Sequence, residues 1–386
     1  LGDVPDVRYN GPYATLWERS MKNRYDAVIL GAGINGAAIA GELAKERKSV
    51  LVLEKGRIGS GASSHSSRLI HGGLRYLENF EFSLVKEALH DRGYLLKSYP
   101  DLVELRPFYL PVYENSRRPS WMIRLGLWLY GFFANHAPKA QEVEKETFLK
   151  KFGAVKGEGL RAVYRYYDGK TDDLALTRKI AEEAKENGAE IVEHAEIRSL
   201  EVDDEKIVIE TGGQKVQTRL LVNATGAWVD EVNARFNLPS NYTIEKISGI
   251  HLVIGRVLVP EPLFLETASR RIFFIIPEAQ TTLIGTTERV ETGETDAIRV
   301  NNEEIEYLLK ESNAYLKRAL RRDDIKEVFI GTRPIIKSAK DPTRMSREYK
   351  LDLHTLGQSR VLHVYGGKLT TFPSLAKKVT EVLEKG

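Results

Sequence analysis

The chain has 386 residues, 42% hydrophobic and 29% charged, with 57 basic against 54 acidic side chains and no cysteine. That length suits two domains rather than one simple core, and the composition is that of an ordinary soluble globular protein. A net charge of +3 excludes a polyanion binder acting through its overall field, and the missing cysteine excludes disulfides, thiolate metal sites and thiol catalysis.

Residues 1–24 mix Asp, Pro, Asn, Trp and Arg without the apolar stretch of a secretory signal. They are expected to form an extension lying on the fold or frayed from it. No apolar run anywhere in the chain reaches membrane-spanning length. From Tyr25 to Gly56, "YDAVILGAGINGAAIAGELAKERKSVLVLEKG" reads as strand, tight turn, helix and strand. Its glycines at Gly31, Gly33 and Gly36 have the spacing of a dinucleotide-binding turn. Gly31 permits the turn, Gly33 lets backbone approach a pyrophosphate, and Gly36 lets helix pack on strand. Glu54 closes the second strand, where a carboxylate can accept from a ribose diol. NAD and FAD both fit these features.

The stretch Ser63–Glu78, "SSHSSRLIHGGLRYLE", sets small hydroxyls beside cationic and protonatable groups within a partly apolar segment. Buried polar groups need partners, so it reads as a segment that surrounds a ligand. A helix follows through about Tyr94, and between Pro100 and Phe152 the pattern loosens around prolines and the aromatic patch "RPSWMIRLGLWLYGFF". That patch is too short to span a bilayer. It reads as a buried helix, with a face dipping into lipid as the alternative. "DDLALTRKIAEEAKEN" is a capped amphipathic helix stopped by Gly188, and "EIVEHAEIRSLEV" and "KIVIET" alternate as strands.

"VNATGAW" (Val222–Trp228) places a small-residue turn after a buried strand, and "YGGKLTTFPSLA" does so again near the end. Thr370 or Thr371 is expected to cap a helix beginning near Pro373. Contact segments so widely spaced suit a large cofactor threaded through the fold. After Tyr242 the texture becomes antiparallel sheet, followed by the helix "NNEEIEYLLKESNAYL". The expected architecture is α/β: a Rossmann-like domain built from the discontinuous segments 25–98, 160–242 and 330–386. An α+β substrate domain containing an antiparallel sheet is inserted as 99–159 and 243–329.

The motifs "GAGINGAAIA", "SSRLIHGGLRYLE", "WMIRLGLWLY", "LVNATGAWVD", "IGTTE", "GTRP" and "GGKLTTF" together resemble the FAD-dependent glycerol-3-phosphate dehydrogenases. That family is related to D-amino-acid oxidase and glycine oxidase. "IHGGLRYLE" and "GGKLTT" occurring together are the specific part, and the family's usual Lys before "LIHGG" is Arg68 here. The resemblance implies FAD as cofactor, held by Gly31, Gly33, Ile34, Asn35, Gly36, Glu54 and Lys55 in the first unit. Ser63, Ser64, Ser66, Ser67, Leu69, Ile70 and His71 would follow from the opening stretch. Ile197, Ala224, Thr225, Gly226, Gly366, Gly367, Lys368, Leu369 and Thr370 would complete the set.

A phosphomonoester carries close to two charges and needs fixed donors. The resemblance sets Arg75, Arg333, Arg347 and Lys368 around it. It further implies oxidation of sn-glycerol 3-phosphate to dihydroxyacetone phosphate by hydride transfer to the flavin, with electrons passed to a quinone. Oxygen as acceptor, and a non-catalytic flavin-binding sensor of a phosphometabolite, are the alternatives. A base must take the hydroxyl proton, and His71 is the first candidate, whereas His65, His251 and His354 are expected to be structural. The family further implies a cytoplasmic protein, peripheral on the inner face of the membrane, with homodimerisation; no metal and no nucleic acid are expected. Bacterial members continue into a helical C-terminal domain beyond the point where this chain stops.

Overall fold

The computed structural model describes residues 21–74, 77, 81–134, 137–337 and 349–385. Arg75 and Arg347 lie outside the described residues, as does most of the expected extension. The first unit forms as its pattern dictates. Ala27–Leu30 and Val50–Leu53 are wholly buried parallel strands, linked by the helix Ile34–Lys45. Four-residue apolar strands with no polar face belong in the middle of a covered parallel sheet. That sheet has six strands in the order Lys350–Leu356, Ser359–Tyr365, Leu220–Asn223, Ala27–Leu30, Val50–Leu53, Glu190–Val192. All neighbours run parallel except the antiparallel edge strand Lys350–Leu356.

The helix Ile34–Lys45 presents Ala37, Ala38, Ala40 and Ala44, small enough for close approach by Asp173–Glu186 and Phe372–Lys385. These three helices and the sheet enclose one apolar core. The Asp173–Glu186 helix starts where expected, with the Asp172 carboxylate accepting from Ala175 N–H at 2.9 Å. On the other face of the sheet lies a second core, shared with the antiparallel ribbon Ile197–Val202, Ile207–Thr211 and Gln214–Thr218. The run "EIVEHAEIRSLEV" is therefore two strands in two different sheets, separated by His194 in a left-handed conformation (φ 57°).

The second large sheet has ten strands. Its centre is antiparallel, built by Ile244–Ile254, Thr282–Gly285, Ile272–Pro277 and Leu263–Glu266. The long pair Val103–Tyr113 and Leu160–Thr171 extends it to Leu69–Ile70, and Ile325–Ile336 pairs along Ile244–Ile254. Leu160–Thr171 thus joins this sheet, although the sequence groups residues from 160 onward with the nucleotide unit. One face packs on the helix Asn302–Tyr315 and the other on Phe82–Ser98 and Ser120–Phe133. Ser120–Phe133 buries Leu127 and Tyr130 (each 2% exposed), but Trp121, Leu125, Trp128 and Phe132 stand 50–68% exposed. Their spacing puts them on one side of the helix. The expectation of a buried helix holds for one face only. Among the described residues no helix is long and apolar enough to cross a membrane.

Candidate active site

Three parallel strands, Ala27–Leu30, Val50–Leu53 and Leu220–Asn223, end at the same edge of the six-stranded sheet. Ligands bind in such sheets beyond the carboxyl ends of the strands. A cavity of about 740 Å³ opens there and continues to the ten-stranded sheet. Gly31 turns the chain with φ +96°, and a Cβ on it would lie 2.9 Å from the Ala224 carbonyl oxygen. A Cβ on Gly36 would lie 2.0 Å from the Gly31 oxygen, so this glycine closes helix onto turn without itself reaching the cavity wall. Gly33 is the N-cap of the helix, and the next N–H, from Ile34, donates to Ser63 Oγ at 3.0 Å. A serine oxygen therefore stands where the helix N-terminus would receive an anion.

The Glu54 carboxylate is buried and accepts from Ala32 N–H at 2.7 Å and from Gly56 N–H at 2.8 Å. It fastens the turn, Glu54 also lines the cavity, and a carboxylate oxygen can accept more than one hydrogen bond. Lys55 pairs with Asp296 at 2.7 Å and sits 4.0 Å over the Trp228 ring, whose Nε1–H also donates to Asp296 at 3.0 Å. This clasp at the rim joins an exposed lysine to a residue 241 positions later. No short-range pattern could reveal it.

The remaining expected residues separate by position. Ile34, Asn35, Ser63, Ser66, Ser67, Leu69, His71, Ile197, Ala224, Thr225, Gly226 and Gly366 through Thr370 all line the cavity. Ser64 and Ile70 do not: Ser64 Oγ turns to His65 Nδ1 at 3.0 Å, and Ile70 is wholly buried in the strand behind. The serines are employed by the protein itself. Ser66 donates from both N–H and Oγ to Asp173, at 3.0 and 2.7 Å, and Ser67 Oγ meets His251 Nε2 at 2.9 Å. The last helix begins at Phe372, which puts Thr371, the other expected candidate, at the capping position; the Thr370 hydroxyl instead accepts His71 N–H at 3.1 Å.

Arg333 and Lys368 both reach the wall. Arg333 donates to Glu288 Oε1 at 3.3 Å and to the Thr287 carbonyl at 3.4 Å. His71 Nδ1 accepts Gly73 N–H at 3.0 Å, which leaves the ring proton of neutral His71 on Nε2. His251, expected to be structural, also lines the cavity, 3% exposed and stacked on Phe329. Burial first, then the nearby Arg333 and Arg68, push its imidazole down to about 3. His251 is therefore neutral at any ordinary pH. No local sequence signal marks it; in the fold it stands opposite Gly285, which has room for no Cβ because the His251 ring lies there. His354 is elsewhere, 3.1 Å from Asp352.

The polar lining fits a dinucleotide. A helix N-terminus, one turn of two glycines at positive φ (Gly366 and Gly367) and Asn35, whose buried Oδ1 has no hydrogen-bond partner, all line one cavity. Gly367 approaches so closely that a Cβ would lie 2.4 Å from Asn35 Nδ2.

Comparison with known proteins accords with this. A family model described as FAD dependent oxidoreductase matches residues 26–382. The chain is 38% identical over 371 residues to the aerobic glycerol-3-phosphate dehydrogenase of Escherichia coli K12, covering 93% of this chain and 73% of that protein. It is 32% identical over 363 residues to the D-erythritol 1-phosphate dehydrogenase of Brucella abortus, covering 92% and 72%. Among solved structures, the glycerol-3-phosphate dehydrogenase from Bacillus halodurans complexed with FAD superposes with a TM-score of 0.75 at 22% identity. That match covers 96% of this chain and 66% of the other. With a strand-end cavity built for a dinucleotide and a family match over nearly its whole length, the chain belongs to the FAD-dependent oxidoreductases of the D-amino-acid-oxidase type.

Proposed function

We propose that the protein oxidises sn-glycerol 3-phosphate to dihydroxyacetone phosphate and passes the electrons to a quinone. The observation that carries this reading is the convergence of Arg333 and Lys368 on the cavity wall in a chain whose relatives are named for that substrate. In this reading the six-stranded sheet serves the cofactor and the ten-stranded sheet the substrate. Bound FAD would supply the acceptor for the two electrons and the carbon-bound hydrogen of the alcohol.

The residues divide the work by chemistry. Gly31 to Asn35 and Ser63 would hold the pyrophosphate at the helix N-terminus, with Glu54 accepting from a ribose hydroxyl. Lys55, Ile197 and the Ala224–Gly226 turn would line the adenosine end, and Leu69, His71 and Gly366–Thr370 the ring end. Arg333 and Lys368, with Arg75 and Arg347, would take the phosphate, Arg333 exchanging part of its contact with Glu288 for the ligand. His71, with Nδ1 occupied by Gly73, would donate from Nε2 to a substrate oxygen; its expected role as base thus changes to donor. His251, which meets the Ser67 hydroxyl through Nε2, would be the alternative proton acceptor in the tautomer that carries its proton on Nδ1. Its basicity is held down first by burial and then by Arg333, and a dianion on that guanidinium would offset only the second of these.

The exposed face of Trp121, Leu125, Trp128 and Phe132 supports a peripheral membrane contact, which a quinone acceptor requires. Oxygen is the rival acceptor: stoichiometric peroxide from reduced enzyme in air would replace the quinone assignment. A longer polyol phosphate is the rival substrate, favoured by the erythritol-phosphate relative. Comparing kcat/KM for glycerol 3-phosphate, erythritol 1-phosphate and unphosphorylated glycerol tests the assignment. The proposal expects the first to be preferred and the last to be inert.

A further inference from the structure

The segment His71–Gly73 forms one wall of the cavity, yet no sheet ladder holds it, since the strand before it ends at Ile70. Backbone N–H groups must be satisfied somewhere, and here their partners are all side chains. His71 N–H goes to Thr370 Oγ1 at 3.1 Å, and Gly73 N–H to His71 Nδ1 at 3.0 Å. Gly72 N–H goes to Tyr130 Oη at 2.8 Å, with a longer contact to Asp168 Oδ1 at 3.3 Å. The middle partner is itself part of a buried cluster. Tyr130 Oη donates to Asp168 Oδ1 at 2.6 Å, and Arg92 Nη1 donates to the same oxygen at 2.6 Å and to the Tyr167 carbonyl at 2.8 Å.

Arg92, Tyr130 and Asp168 are each 2–3% exposed and come from three different elements, Phe82–Ser98, Ser120–Phe133 and Leu160–Thr171. Arg92 Nε is buried without a hydrogen-bond partner. Replacing such an ion pair by apolar side chains is often neutral or stabilising, so packing alone does not account for it. Its geometry does. The tyrosine hydroxyl sits 2.6 Å from where a Gly72 Cβ would be, so the cluster and the glycine are fitted to one another.

We propose that Arg92, Asp168 and Tyr130 form a positioning unit that fixes the His71–Gly73 segment, and with it the reach of the His71 ring, against the substrate. Arg92 and Asp168 orient the tyrosine hydroxyl so that one lone pair faces Gly72 N–H. None of the three is assigned a bond to be made or broken in the reaction; they act through the backbone. This inference rests on the reading of the cavity as the active site.

The test is Tyr130→Phe in the FAD-loaded protein, with Tyr164→Phe as control. Tyr164 lies on the same strand as Asp168 and bonds Ser120 at the start of the Tyr130 helix, away from the cavity. Hydrogen–deuterium exchange on peptides spanning residues 69–74 should rise about tenfold in Tyr130→Phe, one lost hydrogen bond's worth, and stay at the parental rate in Tyr164→Phe. With a dye acceptor, kcat should fall about tenfold while KM for glycerol 3-phosphate stays within about twofold, the signature of lost transition-state alignment. Asp168→Asn should show the same local exchange, and Tyr130→Phe decides the matter if that variant does not fold. Parental exchange over residues 69–74 in Tyr130→Phe would overturn the proposal, as would a loss confined to KM. Because exchange needs no substrate, that arm stays decisive even where glycerol 3-phosphate proves to be the wrong substrate.

Discussion

The Thr370 hydroxyl accepts the backbone N–H of His71 at 3.1 Å, joining segments 299 residues apart. The hydroxyl is buried, so its removal leaves an amide donor without a partner. Thr370→Val should cost about 1–3 kcal/mol of stability, read from urea unfolding of the FAD-loaded protein. Thr370→Ser, which keeps the oxygen, should recover most of it.

The glycine turn leads to a second expectation. A Gly36 Cβ would meet the Gly31 carbonyl at 2.0 Å, backbone that cannot yield without moving the turn. Gly36→Ala should weaken FAD retention by about tenfold or more, given a strain cost of about 1–3 kcal/mol. The ratio of flavin to protein absorbance after gel filtration reports it. Full retention would show that the turn is not the cofactor's anchor.

Arg333 is the third. A charge-assisted hydrogen bond contributes about 1.5–3 kcal/mol, so Arg333→Gln should lower kcat/KM for glycerol 3-phosphate by about 10- to 100-fold. Flavin binding should be unchanged. Arg333→Lys should recover only part, since a point charge cannot reproduce the planar fork.

His251 gives a pH dependence whose sign is fixed. Its folded-state value, about 3, lies below the ordinary imidazole value. Between about pH 6.5 and 3 the unfolded chain binds a proton there and the folded chain does not. Stability is therefore lost as pH falls through that window, at up to about 1.4 kcal/mol per pH unit from this one group. Against the parent, His251→Gln should show a shallower decline in urea midpoint between about pH 6 and 4. An identical slope would mean that His251 charges in the folded protein.

The exposed aromatic face makes a fifth expectation. Trp128→Ser with Phe132→Ser should abolish co-sedimentation with anionic lipid vesicles while leaving dye-linked activity intact. Retained sedimentation would place the membrane contact elsewhere.

The nucleotide unit was legible because its signals are local. Gly31, Gly33, Gly36 and Glu54 lie within one strand–helix–strand unit, and their spacing carries their chemistry. The strand Val103–Tyr113 was hidden by Pro107 and Pro111, which argue against a central strand. Both prolines share the parity of Tyr109, whose N–H turns to the Pro262 carbonyl. Their missing N–H groups thus fall on the side where pairing is confined to Leu263↔Tyr109, and the ladder with Leu160–Thr171 is unharmed. In the site, the cations Arg333 and Lys368 were indicated by the family resemblance of "GTRP" and "GGKLTTF", and both line the cavity. His251 was not indicated, because a histidine in a buried strand looks like any satisfied core residue until Ser67 and Arg333 are brought beside it. The serines show what the sequence does not reveal: Ser63, Ser66 and Ser67 line the cavity, but Ser66 and Ser67 also have partners within the protein, Asp173 and His251.

The claim on which the functional account turns is that this cavity holds a phosphorylated alcohol against FAD. Anaerobic titration of the FAD-loaded protein with glycerol 3-phosphate addresses it most directly. The account predicts loss of the oxidised flavin's visible absorbance within the time of one turnover, with glycerol and glycine producing none. A flavin that stays oxidised under saturating glycerol 3-phosphate would contradict it.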